Sequence, residues 1–197
     1  MSRIVAFGCS NTFGQGLPDC VTASKGDPPS RYAWPAVLGR LLNRPVLNLA
    51  IPGASNLEIL HCITCTDFKP GDLVYVFWSY LDRWSIILES EIIQIGPWLV
   101  DNPKRKGVTE AWYKNFYNEH HARFMYKIII EEGKRIISST VNKWTFLEPD
   151  HSGVVTDFEI LSIDLVHLHD KFPVGLDNIH VGTEAHRYIA ACLKERL

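Results

Sequence analysis

The stretch Ile4-Val5-Ala6-Phe7-Gly8-Cys9-Ser10-Asn11-Thr12-Phe13-Gly14 puts four consecutive apolar residues in front of a glycine and a serine. An apolar run without polar alternation suits a strand buried on both faces, as in a parallel sheet covered by helices. The serine would then stand at the carboxyl edge of the sheet, where open α/β folds bind their ligands.

Working outward, Gly16 to Arg31 carries Pro18, Pro28, Pro29, Gly16 and Gly26 and few apolar residues, so it reads as a surface loop without regular structure. Trp34, Val37, Leu38 and Leu41 recur at helical spacing, with Pro35 tolerated in a first turn. Pro45 to Ala50 reads as a second strand, Asn56 to Thr66 as a helix, and Leu73 to Trp78 as a third strand behind the turn Lys69-Pro70-Gly71-Asp72. Buried strands alternating with amphipathic helices predict right-handed βαβ units and a parallel sheet.

Beyond it, the spacing predicts a helix over Ser85 to Ile95, a solvent loop over Gly96 to Gly107, and a long helix from about Thr109 to Glu132. The buried stripe of that long helix is read as Trp112, Phe116, His120, Phe124 and Ile128. Arg135 to Thr140 and Lys143 to Leu147 are candidate strands. Thr183 to Leu197 reads as a closing helix with Ala185, Ile189, Cys192 and Leu193 on one face. The whole, residues 1–197, is expected to be one domain with a helical insertion around 85–132.

Apolar residues make up 46% and charged residues 21% of the 197, enough hydrophobic material for a sizeable core, which excludes disordered and fibrous classes. Twenty Lys plus Arg against 22 Asp plus Glu leave no basic excess for nucleic acid to exploit. Five cysteines, an odd number, fit reduced thiols better than a disulfide framework. The apolar run before Gly8 is too short for a signal peptide or a membrane span, so a soluble protein is expected.

Several nucleotide-binding patterns fail on inspection. A phosphate loop needs four residues between its glycines and a lysine after the second, whereas Gly8 and Gly14 are separated by five and Gln15 follows. Asp19 stands where a dinucleotide fingerprint starting at Gly14 needs its third glycine, and Thr12 where a Gly-x-Ser-x-Gly elbow needs its second. Ser10 is left as a nucleophile candidate, or as a simple turn cap.

A second candidate lies far along the chain at Asp177-Asn178-Ile179-His180. In one turn a carboxylate can fix the tautomer of an imidazole whose other nitrogen faces a serine; the bland alternative is a loop carboxylate beside a helix-flanking histidine. Cys62-Ile63-Thr64-Cys65 lacks a second ligand pair, and His167-Leu168-His169, read as a strand with both rings on one face, lacks a third ligand. Trp78, Tyr80, Trp84, Trp98, Trp112 and Tyr113 exceed what one core needs and offer material for a sugar or acyl cleft, with packing as the default use.

Phe7 to Gly14, Asn48-Leu49-Ala50-Ile51-Pro52-Gly53-Ala54-Ser55-Asn56 and Asp177 to His180 together resemble the SGNH (GDSL-like) hydrolase family. The resemblance implies a flavodoxin-like three-layer α/β/α sandwich with a mainly parallel sheet. It makes Ser10 the nucleophile, His180 the general base and Asp177 its orienter. Backbone N–H groups of Ser10 and Gly53 become oxyanion donors, with Ser79 and Asn56 as further oxyanion or substrate-binding candidates. It implies no cofactor and no metal, and a small-molecule or glycan ester as substrate.

The third block departs from the family's Gly-x-Asn-Asp, reading Ser79-Tyr80-Leu81-Asp82, and leucine cannot donate a hydrogen bond, so either Ser79, Tyr80, Trp78 or Arg83 substitutes as donor or the site is slow or inactive. Trp78-Ser79 followed by Asp82-Arg83 looks like a variant of small bacterial and phage proteins, which implies a cytoplasmic or virion-associated location. The alternative function is a weak or inactive SGNH-like binding or structural module.

Overall fold

A computed structural model describes residues 2–23, 26–149, 156 and 158–197. Five parallel strands, β1 (Ile4–Phe7), β2 (Val46–Asn48), β3 (Leu73–Phe77), β6 (Lys143–Glu148) and β7 (Ile160–Ser162), form a sheet in the order β2-β1-β3-β6-β7. The chain runs outward from β1 to β2 and then crosses back to β3 on the other side. Loops leaving β1 and β3 therefore diverge and open a crevice at their carboxyl ends.

β1 shows why the apolar run works. Ile4 and Ala6 point into one core with Trp34, Leu38, Leu168 and Ile189, whereas Val5 and Phe7 point into the other with Ile59, Ile63, Tyr126 and Ile130. The period of two sends alternate residues to opposite faces, so both must be apolar. Helices α2 (Trp34–Leu42), α6 (Leu165–Lys171) and α7 (Thr183–Glu195) cover the first face, and α3 (Asn56–Thr64) and α5 (Glu119–Ser138) the second. This is the expected three-layer α/β/α sandwich.

The middle of the chain corrects the sequence reading. Ser85 to Ile95 is not a helix: β4 (Trp84–Ile87) and β5 (Ile92–Ile95) pair antiparallel around a turn in which Leu88 N donates to Glu91 O. Two Ile pairs flanking Glu89-Ser90-Glu91 favour strands and a turn. The expected helical insertion thus begins as a hairpin, followed by a 3-10 turn over Pro97–Leu99 and by α4 (Lys106–Asn115).

The long helix is broken at residues 116–118, where the Asn118 side chain accepts from His121 N and caps α5. Its buried stripe is Ala122, Tyr126, Ile129, Ile130 and Ile137, while Phe116, Phe124 and His120 are exposed. The predicted stripe lies on the wet side because the cap resets the phase of the helix. α5 also takes in Arg135 to Ser138 of the expected strand Arg135 to Thr140, and a turn takes the rest. His167 and His169 sit on α6, so they lie roughly 200° apart around its axis and not on one face. The described residues of the Gly16 to Arg31 segment form no helix or strand, yet Leu17, Cys20 and Ser30 are buried.

Candidate active site

The exit from β1 is tight. A side chain on Gly8 would place Cβ 2.3 Å from Thr12 Oγ1 and 3.0 Å from Phe77 O, so only glycine lets the strand end pass this close to β3. The chain then makes one helical turn, α1 (Ser10–Phe13), closed by Gly14 at φ 91° with its N–H on Ser10 O. Ser10 is buried, and its hydroxyl makes no hydrogen bond among the described residues.

The Asp177 turn is docked on the continuation of this loop. Leu176 N donates to Gly16 O at 2.7 Å, and a Cβ on Gly16 would lie 2.7 Å from Asp177 Oδ1. The turn is internally closed by Gly175 N to His180 O and by the Val174–Val181 bridge. Here Asp177 Oδ2 meets His180 Nδ1 at 2.6 Å, while Oδ1 accepts the backbone N–H groups of Ile179 and His180, each at 3.0 Å. Burial alone would raise the Asp177 carboxyl, but these donors outweigh it and hold the group below its ordinary value. With Nδ1 occupied, His180 has Nε2 available for a proton from elsewhere. The structure joins Asp177 to His180 but forms no hydrogen bond between His180 and Ser10.

Gly53 belongs to the turn after β2, which is tied to the Ser10 loop by Ile51 N donating to Gly8 O at 3.0 Å. At φ 76° it occupies the left-handed region, and a Cβ there would stand 2.9 Å from Gln94 Oε1 and 3.2 Å from Trp98 Cζ2. Asn56 opens α3 and spends its amide on the third block: Oδ1 accepts Ser79 N at 2.6 Å and Nδ2 donates to Ser79 O at 3.0 Å. Ser79 is thereby fixed through its main chain, and its buried Oγ has no partner among the described residues. Leu81 packs against the α3–α5 core, as an apolar side chain must.

Three residues that the sequence reading did not select also bear on this edge. Glu58, in the first turn of α3, is buried and accepts Gln94 Nε2 at 3.0 Å and Ser85 Oγ at 3.3 Å, while Gln94 Nε2 also reaches Pro52 O at 3.1 Å. Ser85 and Gln94 are register partners of the hairpin, so one carboxylate fastens it over the Gly53 turn. Burial pushes the Glu58 carboxyl up, only partly offset by its donors. The available signal was a lone acid in an apolar helical stripe. His186 on α7 is wholly buried, accepts Trp34 N through Nδ1, and is pushed down to about 3 by burial and by nearby His180.

No protein-family model matches the sequence, and no curated protein is detectably similar to it. Solved structures do match. A member of the lipolytic protein G-D-S-L family from Veillonella parvula DSM 2008 superposes with TM-score 0.51 at 13% identity, covering 99% of this chain and 97% of that one. The acetyl xylan esterase AlAXEase gives TM-score 0.52 at 12% identity over 99% of both chains. A carbohydrate esterase, described as having an active site with divergent catalytic and non-catalytic binding functions, gives TM-score 0.58 at 10% identity, covering 99% of this chain and 67% of that one. The strand order, the layering and these superpositions agree that this chain has the fold of the GDSL (SGNH) hydrolases.

Proposed function

We propose that the protein is a serine ester hydrolase working by acyl transfer. Ser10 Oγ attacks the ester carbonyl as His180 Nε2 takes its proton, and Asp177 steadies the imidazolium that forms. The carbonyl oxygen, now negative, is received by the backbone N–H groups of Ser10 and Gly53, with Ser79 Oγ as third donor in place of the missing asparagine. The tetrahedral adduct collapses and His180 returns the proton to the departing alcohol. Water, deprotonated by His180, then attacks the acyl-serine and frees the acid. This route requires no metal or organic cofactor.

One observation carries the reading: the 2.6 Å contact between Asp177 and His180, in a turn seated on the loop that follows Ser10. Unliganded sites of this kind are commonly looser than their substrate complexes, so the Ser10–His180 bond is expected to form when substrate is bound. The neighbouring acetyl xylan esterase and carbohydrate esterase favour a small acyl group on a carbohydrate. A fluorophosphonate probe should label the wild type and not Ser10→Ala, and short aryl esters should be hydrolysed only by the wild type. Failure on both counts ends the enzyme reading.

A second reading, a carbohydrate-binding module without turnover, draws support from Leu81, which denies the site its usual asparagine donor. Binding of glycans that survives Ser10→Ala, together with no esterase activity, selects it.

A further inference from the structure

Arg83 follows the third block and is half-buried, and its guanidinium carbon lies 4.9 Å from the Tyr80 ring centroid and 4.7 Å from that of Trp98. Two aromatic faces hold a planar cation and strip part of its water. None of its five side-chain N–H donors makes a hydrogen bond or an ion pair with a described residue. Of the nine other arginines, Arg3, Arg31, Arg105, Arg123, Arg135 and Arg196 pair with carboxylates, and Arg40 and Arg44 donate to Arg31 O and Ser2 Oγ; Arg187, like Arg83, does neither, but it has no aromatic ring stacked on it among the described residues. Asp82, the preceding residue, is within electrostatic reach but forms no ion pair with it; burial pushes the Asp82 carboxyl up, and Arg83 offsets this only in part.

The platform is built into the site's edge. The Trp98 ring fills the space that a side chain on Gly96 would need, at 2.2 Å, and its Cζ2 abuts Gly53. Its position is therefore set by two glycines and by Arg83, yet the ring is 45% exposed. The half-buried cation stacks on the same ring that abuts the turn whose backbone N–H is proposed to meet the reacting carbonyl. Charge-assisted, bidentate recognition of a carboxylate is what an unpaired, stacked guanidinium does best.

We propose that Arg83, held over Tyr80 and Trp98, is a binding subsite for a carboxylate of the substrate, so that the preferred ligand is an acylated sugar chain carrying uronic-acid groups. The ester part of this inference rests on the esterase reading, whereas the carboxylate part does not.

The test uses the full chain carrying Ser10→Ala, so that bound ester is not consumed, titrated by calorimetry with acetylated oligogalacturonate and with neutral acetylated xylo-oligosaccharide of equal length. The acidic ligand should bind at least tenfold tighter, and raising the salt should erode that preference. Adding Arg83→Gln should bring the two affinities within about twofold, and Arg83→Lys, which keeps the charge and loses the planar stack, should fall between. Equal affinities without an Arg83 change, a preference that survives Arg83→Gln, no binding of either ligand, or an equal loss of both in Arg83→Gln each overturns the subsite. Fluorophosphonate labelling of the wild type separates the two claims. Label without charge preference removes only the subsite, and charge preference without label removes only the esterase.

Discussion

Two carboxylates, Asp177 in the late turn and Glu58 on α3, have been moved in opposite directions by the same protein. Both lose water. Asp177 gains two backbone N–H donors and an imidazole, all favouring the charged form, whereas Glu58 sits deeper, with the side chains of Gln94 and Ser85 and the Ser55 backbone as its donors. The depth of burial weighed against the strength of the donors decides the sign. The exposed-edge turn can keep a charge ready for chemistry, while the buried helix position suits a fastener that tolerates a proton.

The largest effect should come from removing the charge where it is stabilised. Asp177→Asn keeps the shape but loses the tautomer-fixing carboxylate, and kcat on a short aryl ester should fall by about 10³–10⁴. A loss of less than tenfold in steady-state assays breaks the assignment of Asp177 as orienter. Next, Ser79→Ala should cost about 10²–10³ in kcat with KM little changed, the signature of a lost oxyanion donor. A KM effect alone would make Ser79 a packing residue.

Stability against pH sharpens the contrast. His186, with a folded value of about 3 against an ordinary 6.5, binds its proton far more readily in the unfolded chain. The stability it contributes is therefore present above pH 6.5 and is lost as pH falls toward 3, by up to about 1.4 kcal/mol per pH unit. Asp177, also depressed, acts in the same direction at the acid end, below its ordinary 3.8. Urea unfolding at pH 7 and pH 4 should show this drop, and His186→Asn, which retains an acceptor for Trp34 N, should flatten it. Glu58 has the reverse sign: its raised value makes the ionised form the costly one, so stability it supports at low pH is lost as pH rises through that value. Glu58→Gln should change unfolding free energy at pH 7 by no more than about 1 kcal/mol, and toward greater stability. A large destabilisation would mean that the carboxylate is wanted charged after all.

Much of this architecture was legible in the residues. Ile4 to Phe7 had to be buried on both faces, and the three-residue spacing of Asp177 and His180 foretells the contact their side chains make. The middle was not legible for a physical reason. Ser85 to Ile95 is short and apolar enough to satisfy either period, and only its docking through Ser85 and Gln94 onto Glu58 selects the hairpin. Phe116 to Ile128 keeps helical spacing across a break, so the pattern pointed to a face that the Asn118 cap rotates away from the core. Arg83 is named by the sequence only as a stand-in donor for the missing asparagine; its stacked setting comes from Trp98, which no spacing brings to it.

The seat of the Asp177 turn on Gly16 has a consequence for how the molecule comes into being. Its anchor, the Leu176 N–H on Gly16 O, joins an early loop to one about 160 residues further along the chain. A nascent chain can lay down the early strands and their serine long before the imidazole has been synthesised. The proposed nucleophile and its base can therefore meet only after the Asp177 turn has been made and has closed on Gly16.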